Sequence, residues 1–146
     1  MKKVVKFGGS SLASAAQFKK VGDIIRAEES RRYVVPSAPG KRFAEDTKVT
    51  DMLYQCYALA EEGKKFDELL KKIRSRYDEI IQGLGLDLSL DSEFEVIKSQ
   101  FVEQAGKDYA ASRGEYLNGI VMANYLGYTF IDAAEVIFFD EHGVLD

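Results

Sequence analysis

The sequence predicts an α/β fold on a mainly parallel sheet, with a helical subregion at about residues 46–126. Two patterns carry this expectation. The first 40 residues read strand, helix, strand, the βαβ unit that joins parallel strands through a right-handed crossover. Beyond about residue 46, apolar positions recur with the helical period in one segment after another. Length bounds the answer: 146 residues is about one domain, able to bury roughly 68–70% of its unfolded surface.

Residues 2–7 are short and β-branched (Val4, Val5, Phe7) and stop at Gly8 and Gly9, as a buried strand entering a tight turn does. Ser10 and Ser11 offer N-cap chemistry for a helix running to about Glu29 on Leu12, Ala15, Ala16, Phe18, Val21, Ile24 and Ile25. Tyr33, Val34 and Val35 form a second strand, punctuated by Pro36-Ser37-Ala38-Pro39-Gly40. Asp46 or Thr47 caps a helix carrying Val49, Met52, Leu53, Cys56, Tyr57 and Ala60 up to Gly63. The cleanest amphipathic segment spans 65–82, with Phe66, Leu69, Leu70, Ile73, Tyr77, Ile80 and Ile81 on one face. Residues 83–90 alternate like a strand, but their two glycines and helical flanks read as a loop. Asp91 or Ser92 caps a helix to about Ala105, and Ser112 caps another from Gly114 to about Leu126, ended by Gly127. Residues 128–131 and 136–139 are strand candidates, and 140–143 a turn.

Composition excludes several function classes. Apolar residues make up 46%, charged residues 30%, and there are 12 glycines and 2 prolines, an ordinary globular profile rather than a disordered one. The net charge of −4, with no long single-sign block, gives no footprint for nucleic acid. Cys56 is the single cysteine and His142 the single histidine, so neither an intramolecular disulfide nor a structural zinc cage is available. No signal-peptide core and no apolar run of about 18 residues appears, so no membrane partner is expected and the chain reads as cytoplasmic. Cys56 falls on an apolar helix face and reads as a buried, inert thiol.

Three stretches have residues suited to chemistry. In Lys6-Phe7-Gly8-Gly9-Ser10-Ser11, paired glycines let a backbone approach a phosphate, the helix start offers free N–H groups, and Lys6 adds a full positive charge. It is neither a Walker A loop nor a G-x-G-x-x-G fingerprint, and a plain tight turn with a helix cap explains it as well. In the second, residues 34–40, a strand's carboxyl end presents Ser37 and a glycine at the sheet rim, where ligands of open α/β sheets sit. A proline-stiffened turn is the alternative, and Thr50 alone reads as a solvated helix hydroxyl. The third, Ser112-Arg113-Gly114-Glu115, has the pattern of a capping box.

Together these stretches resemble the aspartate kinase family of the amino acid kinase superfamily. That family's first strand closes in a K-F-G-G-S/T-S turn, its second ends in V-V-x-S-A, and it carries an S-x-G-E helix start. Gly40-Lys41-Arg42, residues 48–53 and Ile131-Asp132-Ala133 look like the same family, so the resemblance covers essentially the whole chain. It implies a three-layer αβα domain and phosphoryl transfer from ATP, with its Mg²⁺, to the β-carboxylate of L-aspartate, in a homo-oligomeric enzyme of lysine, threonine and methionine synthesis. Lys6 then matches the lysine that neutralises the transferred phosphoryl group, and Gly8, Gly9 and Ser10 match the turn that cradles the phosphates. Ser37 and Thr50 match hydroxyls of the amino-acid site, and Glu115 the carboxylate that pairs with the substrate ammonium.

An aspartate kinase is much longer than this chain. Its later G-R-G-G-S-D stretch, its nucleotide-base contacts and its ACT regulatory domains have no counterpart here, so residues 1–146 correspond to the amino-terminal, aspartate-binding portion of a kinase domain. By itself that portion is expected to be inactive. Glutamate, acetylglutamate and uridylate kinases share the lysine and the Gly-Gly turn, and the second and third motifs favour aspartate over them. A non-catalytic regulatory or interaction fragment is the remaining reading.

Overall fold

In the computed structural model the described residues are 3–27, 31–128 and 130. Strand β1 (Lys3–Phe7) pairs in parallel with β2 (Arg31–Pro36), Lys6 opposite Val35 and Phe7 opposite Pro36. Between them lie a 3₁₀ turn (Gly9–Leu12) and helix α1 (Ala15–Arg26). Helices α2 (Val49–Glu61), α3 (Asp67–Gly83), α4 (Asp91–Val102) and α5 (Lys107–Leu126) follow. The described part is therefore mostly helical, with a two-stranded parallel sheet, and the helical subregion falls within the expected limits. Of the strand candidate at 128–131 only Tyr128 and Phe130 are described, neither of them in a strand, and the candidate at 136–139, the turn at 140–143 and His142 lie outside the described residues.

The helices form where the apolar period placed them because each buries one stripe. Ile73, Tyr77 and Ile80 of α3, Leu53 and Cys56 of α2, Ile97 and Phe101 of α4, and Leu117 and Val121 of α5 are almost completely buried in one core. Phe101 is the junction: its ring meets Tyr57 at 5.4 Å, Phe66 at 6.1 Å and Tyr109 at 6.3 Å. The Cys56 thiol is buried there and its pKa is pushed up to about 12, chiefly by desolvation, which keeps it an inert thiol. Residues 86–90 form a loop, as expected. No described helix is long and apolar enough to cross a membrane.

The helix starts differ from expectation. Ser10 and Ser11 sit inside the 3₁₀ turn, which buries Leu12, and the cap of α1 is Ser14, whose Oγ accepts from the Gln17 N–H at 3.4 Å. Neither Asp46 nor Thr47 caps α2; its N-cap is Lys48, with no side-chain capping bond. Helix α5 begins seven residues before the expected Gly114, because the chain turns at Gly106 (φ 114), whose N–H donates to the Tyr57 hydroxyl at 2.9 Å. Ser112 is consequently interior: its hydroxyl donates to the Tyr109 carbonyl at 2.7 Å and it caps nothing. Gly127 ends α5 in the left-handed conformation (φ 73), as expected.

Candidate functional site

The turn after β1 and the turn after β2 touch through their backbones. The Gly40 N–H donates to the Gly9 carbonyl at 2.8 Å, and the Ser37 N–H donates to the Phe7 carbonyl at 3.1 Å. A Cβ on Gly40 would lie 2.7 Å from the Gly9 carbonyl carbon and 2.8 Å from the Ser10 nitrogen, so only glycine permits this approach. Gly114 lets α5 come equally close, since a Cβ there would meet the Ala38 side chain at 2.6 Å. These contacts bring together segments far apart in the chain.

At their meeting point is a cleft of about 510 Å³. Gly9 and Ser10 come from the first turn, residues 37–40 from the second, Lys48 and Thr50 from the start of α2, Lys41 from the loop before it, and Glu115 from α5. Of the residues singled out from the sequence, Gly9, Ser10, Ser37, Thr50 and Glu115 thus share one cavity. Lys6 and Gly8 are exposed at the end of β1 and just after it, and do not line the cavity. Among the described residues no group of three acidic, cysteine or histidine side chains is placed to hold a metal ion.

A second cavity, of about 330 Å³, is lined by the charged side chains of Arg42, Asp46, Arg76 and Glu79. Arg42 donates from Nε to Asp46 Oδ2 at 2.7 Å and from Nη1 to Glu79 at 2.9 Å, while the Asp46 carboxylate also accepts the Arg42 backbone N–H at 3.0 Å. These bonds hold the Asp46 carboxyl well below the usual carboxylate range. Arg76 of α3 is buried and donates to three carbonyls: Thr47 at 2.9 Å, Gly40 at 2.5 Å and Ala13 at 3.5 Å. Burial and the nearby Arg42 charge lower its pKa, and its Nε has no hydrogen-bond partner among the described residues. Buried Asn118 donates to the Ser37 carbonyl at 2.7 Å, its own Oδ1 having no partner among the described residues, and the Tyr77 hydroxyl donates to the Gly114 carbonyl at 2.8 Å.

Arg76, Asn118, Lys41 and Lys48 are what sequence reasoning missed as contributors to this region. For Arg76 a signal existed, because it stands three residues after Ile73 and four before Ile80, on the apolar stripe of α3, where a charge needs a partner.

The model of the amino acid kinase family matches residues 1–143. Aspartokinase 3 of Bacillus subtilis is 39% identical over 140 residues, which is 92% of this chain and 31% of the relative. The crystal structure of Clostridium acetobutylicum aspartate kinase superposes with a TM-score of 0.89 at 52% identity, covering 98% of this chain and 33% of that one. Escherichia coli aspartokinase III, solved with aspartate and ADP, gives a TM-score of 0.67 at 25% identity, covering 87% of this chain and 29% of that one. This chain therefore spans about a third of the length of the relatives it matches. It belongs to the amino acid kinase family and is a homologue of the aspartokinases, a group of phosphotransferases.

Proposed function

We propose that the protein containing this chain is an aspartate kinase, moving the γ-phosphoryl group of ATP to the β-carboxylate of L-aspartate to give 4-phospho-L-aspartate. The observation that carries the reading is the convergence of Gly9, Ser10, Ser37, Thr50 and Glu115 on one cleft. Support comes also from E. coli aspartokinase III, whose structure holds aspartate and ADP. Residues 1–146 are then the amino-terminal, aspartate-binding portion of a three-layer αβα kinase domain, with the rest of that domain and ACT domains supplied by further chain. The whole protein is a cytoplasmic homo-oligomer in lysine, threonine and methionine synthesis.

The chemistry asks for positioning and charge neutralisation, with no covalent enzyme intermediate. A carboxylate oxygen forms the new bond to phosphorus as the bond from phosphorus to the ADP oxygen breaks. Glu115 holds the substrate ammonium, and Ser37 and Thr50 orient it. The first turn, Gly8, Gly9 and Ser10, takes the phosphates on backbone N–H groups, and Lys6 offsets the charge on the transferred group. Gly8 fits this role: its φ is an ordinary −77° and a Cβ there would meet nothing within 4 Å, so internal packing does not call for a glycine. Mg²⁺ would be held through the ATP phosphates and would offset their charge.

Lys6→Ala in the full-length protein should lower kcat by about 10²–10³-fold, as loss of one transition-state charge contact does, with aspartate affinity within twofold. An unchanged kcat refutes the role of Lys6. A panel of aspartate, glutamate, acetylglutamate and UMP, read by ADP release, tests the substrate; turnover of any of the last three without aspartate overturns the reading.

A further inference from the structure

One buried guanidinium reaches three separate segments of the cleft wall. Arg76 of α3 is 3% exposed; it donates from Nη1 to the Thr47 carbonyl at 2.9 Å, and from Nη2 to the Gly40 and Ala13 carbonyls at 2.5 and 3.5 Å. Each of these anchors is three residues from one that lines the cleft: Ala13 follows Ser10, Gly40 follows Ser37, and Thr47 precedes Thr50. The turn after β1, the turn after β2 and the start of α2 are thus spaced by a single planar group, whose fork of donors a lysine does not reproduce.

Packing gives the loop between Gly40 and Lys48 little else to rest on. Residues 41–45 are exposed, and cavities flank the loop: Gly40, Lys41 and Lys48 line the cleft, whereas Arg42, Asp46 and Thr47 line the second cavity with Arg76. A cation in this place is costly to bury. The Asp46 carboxylate is 3.6 Å away and already bonded to Arg42, and the Arg76 Nε has no partner among the described residues. An apolar side chain would suit this stripe of α3 better, and a residue that breaks a local rule persists where another demand requires it.

The demand is the spacing of the two sides of the cleft. In the proposed reaction Gly9 and Ser10 serve the phosphates, whereas Ser37 and Thr50 serve the amino acid. We infer that Arg76 is a positioning residue for phosphoryl transfer, setting the separation of these two half-sites from behind the cleft wall, which it does not itself line; the inference rests on the proposed aspartate kinase reading. Without Arg76 each half-site keeps its own contacts, so each substrate still binds. What is lost is the alignment of the attacking carboxylate oxygen with phosphorus, and a misplacement of about 1 Å costs on the order of 10²-fold in rate.

Steady-state kinetics of the full-length protein and its Arg76→Ala, Arg76→Lys and Phe101→Ala variants test this. Phe101 is buried in the helical core and lines neither cavity, so its loss reports what instability alone does. Arg76→Ala should lower kcat by about 10²-fold with KM for aspartate and for MgATP each within about threefold, whereas Phe101→Ala should keep kcat per folded molecule within about twofold. Guanidinium ion below denaturing concentration should restore part of kcat to Arg76→Ala and none to Phe101→Ala. An unchanged kcat in Arg76→Ala overturns the inference, as does a fall that Phe101→Ala matches or a loss carried mainly by either KM. Should Arg76→Ala not fold, Arg76→Lys decides: kcat about tenfold lower at unchanged KM upholds the inference, and kcat within about twofold of the unaltered protein overturns it. In each overturning case aspartate-dependent ADP release by the unaltered protein still upholds the kinase reading. Absence of that release overturns both.

Discussion

Gly8 and Gly40 look alike in the sequence, yet their environments are opposite. A Cβ at Gly40 would lie 2.7–2.9 Å from backbone atoms of Gly9 and Ser10, which cannot swing aside as a side chain would. Gly40→Ala should therefore destabilise the fold by about 1–3 kcal/mol, as overpacking does, and separate the two turns that frame the cleft. At Gly8 the same methyl group meets open space, so Gly8→Ala should leave stability within about 0.5 kcal/mol while weakening MgATP binding to the full-length protein. Urea denaturation and nucleotide titration of both variants check the contrast, and equal stability losses would refute it. That both positions are glycine was legible; which glycine the fold needs, and which one it leaves open to a ligand, was not, because the approach joins residues about 30 apart in the chain.

The loop between β2 and α2 is an element without regular structure that is nevertheless firmly held. Asp46 is its centre, accepting from Arg42 three times and lying 3.6 Å from Arg76. The Arg42 hydrogen bond depresses its pKa, with burial acting in the opposite direction. A carboxyl whose folded pKa is depressed contributes stability above its unfolded value of about 3.9, and that contribution is lost as pH falls below it. Asp46→Asn should accordingly lower Tm at pH 7, and the gap to the unaltered protein should shrink as pH drops from about 5 towards 2. Thermal melts across that range decide it, and parallel curves would exclude the Asp46 carboxylate as the source. The helices themselves were legible from their apolar stripes, whereas their first residues were not. The Ser112 capping-box pattern is genuine in sequence but falls in the second turn of α5, because Gly106 and Tyr57 fix an earlier start.

At the scale of the molecule, four helices share one core through the Phe101 ring, which is wholly buried against Tyr57, Phe66 and Tyr109. Phe101→Ala should remove about 3–5 kcal/mol, the usual effect of truncating a buried aromatic. Circular dichroism at the helical band and tyrosine fluorescence should shift to lower urea together, because the helices have no separate cores to fall back on. Two separated transitions would show instead that α4 is independent. By itself the sequence determined the strand, turn and helix succession, the apolar stripes and the three motifs by which the chain resembles the aspartate kinases, because each is written in residues a few positions apart. Only the tertiary structure decided that residues of those motifs share one cleft, that Arg76 is buried against the Gly40 carbonyl, and that Arg42 and Asp46 are paired while Lys41, Lys48 and Glu115 make no ion pair among the described residues. The physical reason is range. Periodicity and turn chemistry act within a few residues, whereas the partner of a buried charge, and the approach of one backbone to another, depend on segments that only folding brings together.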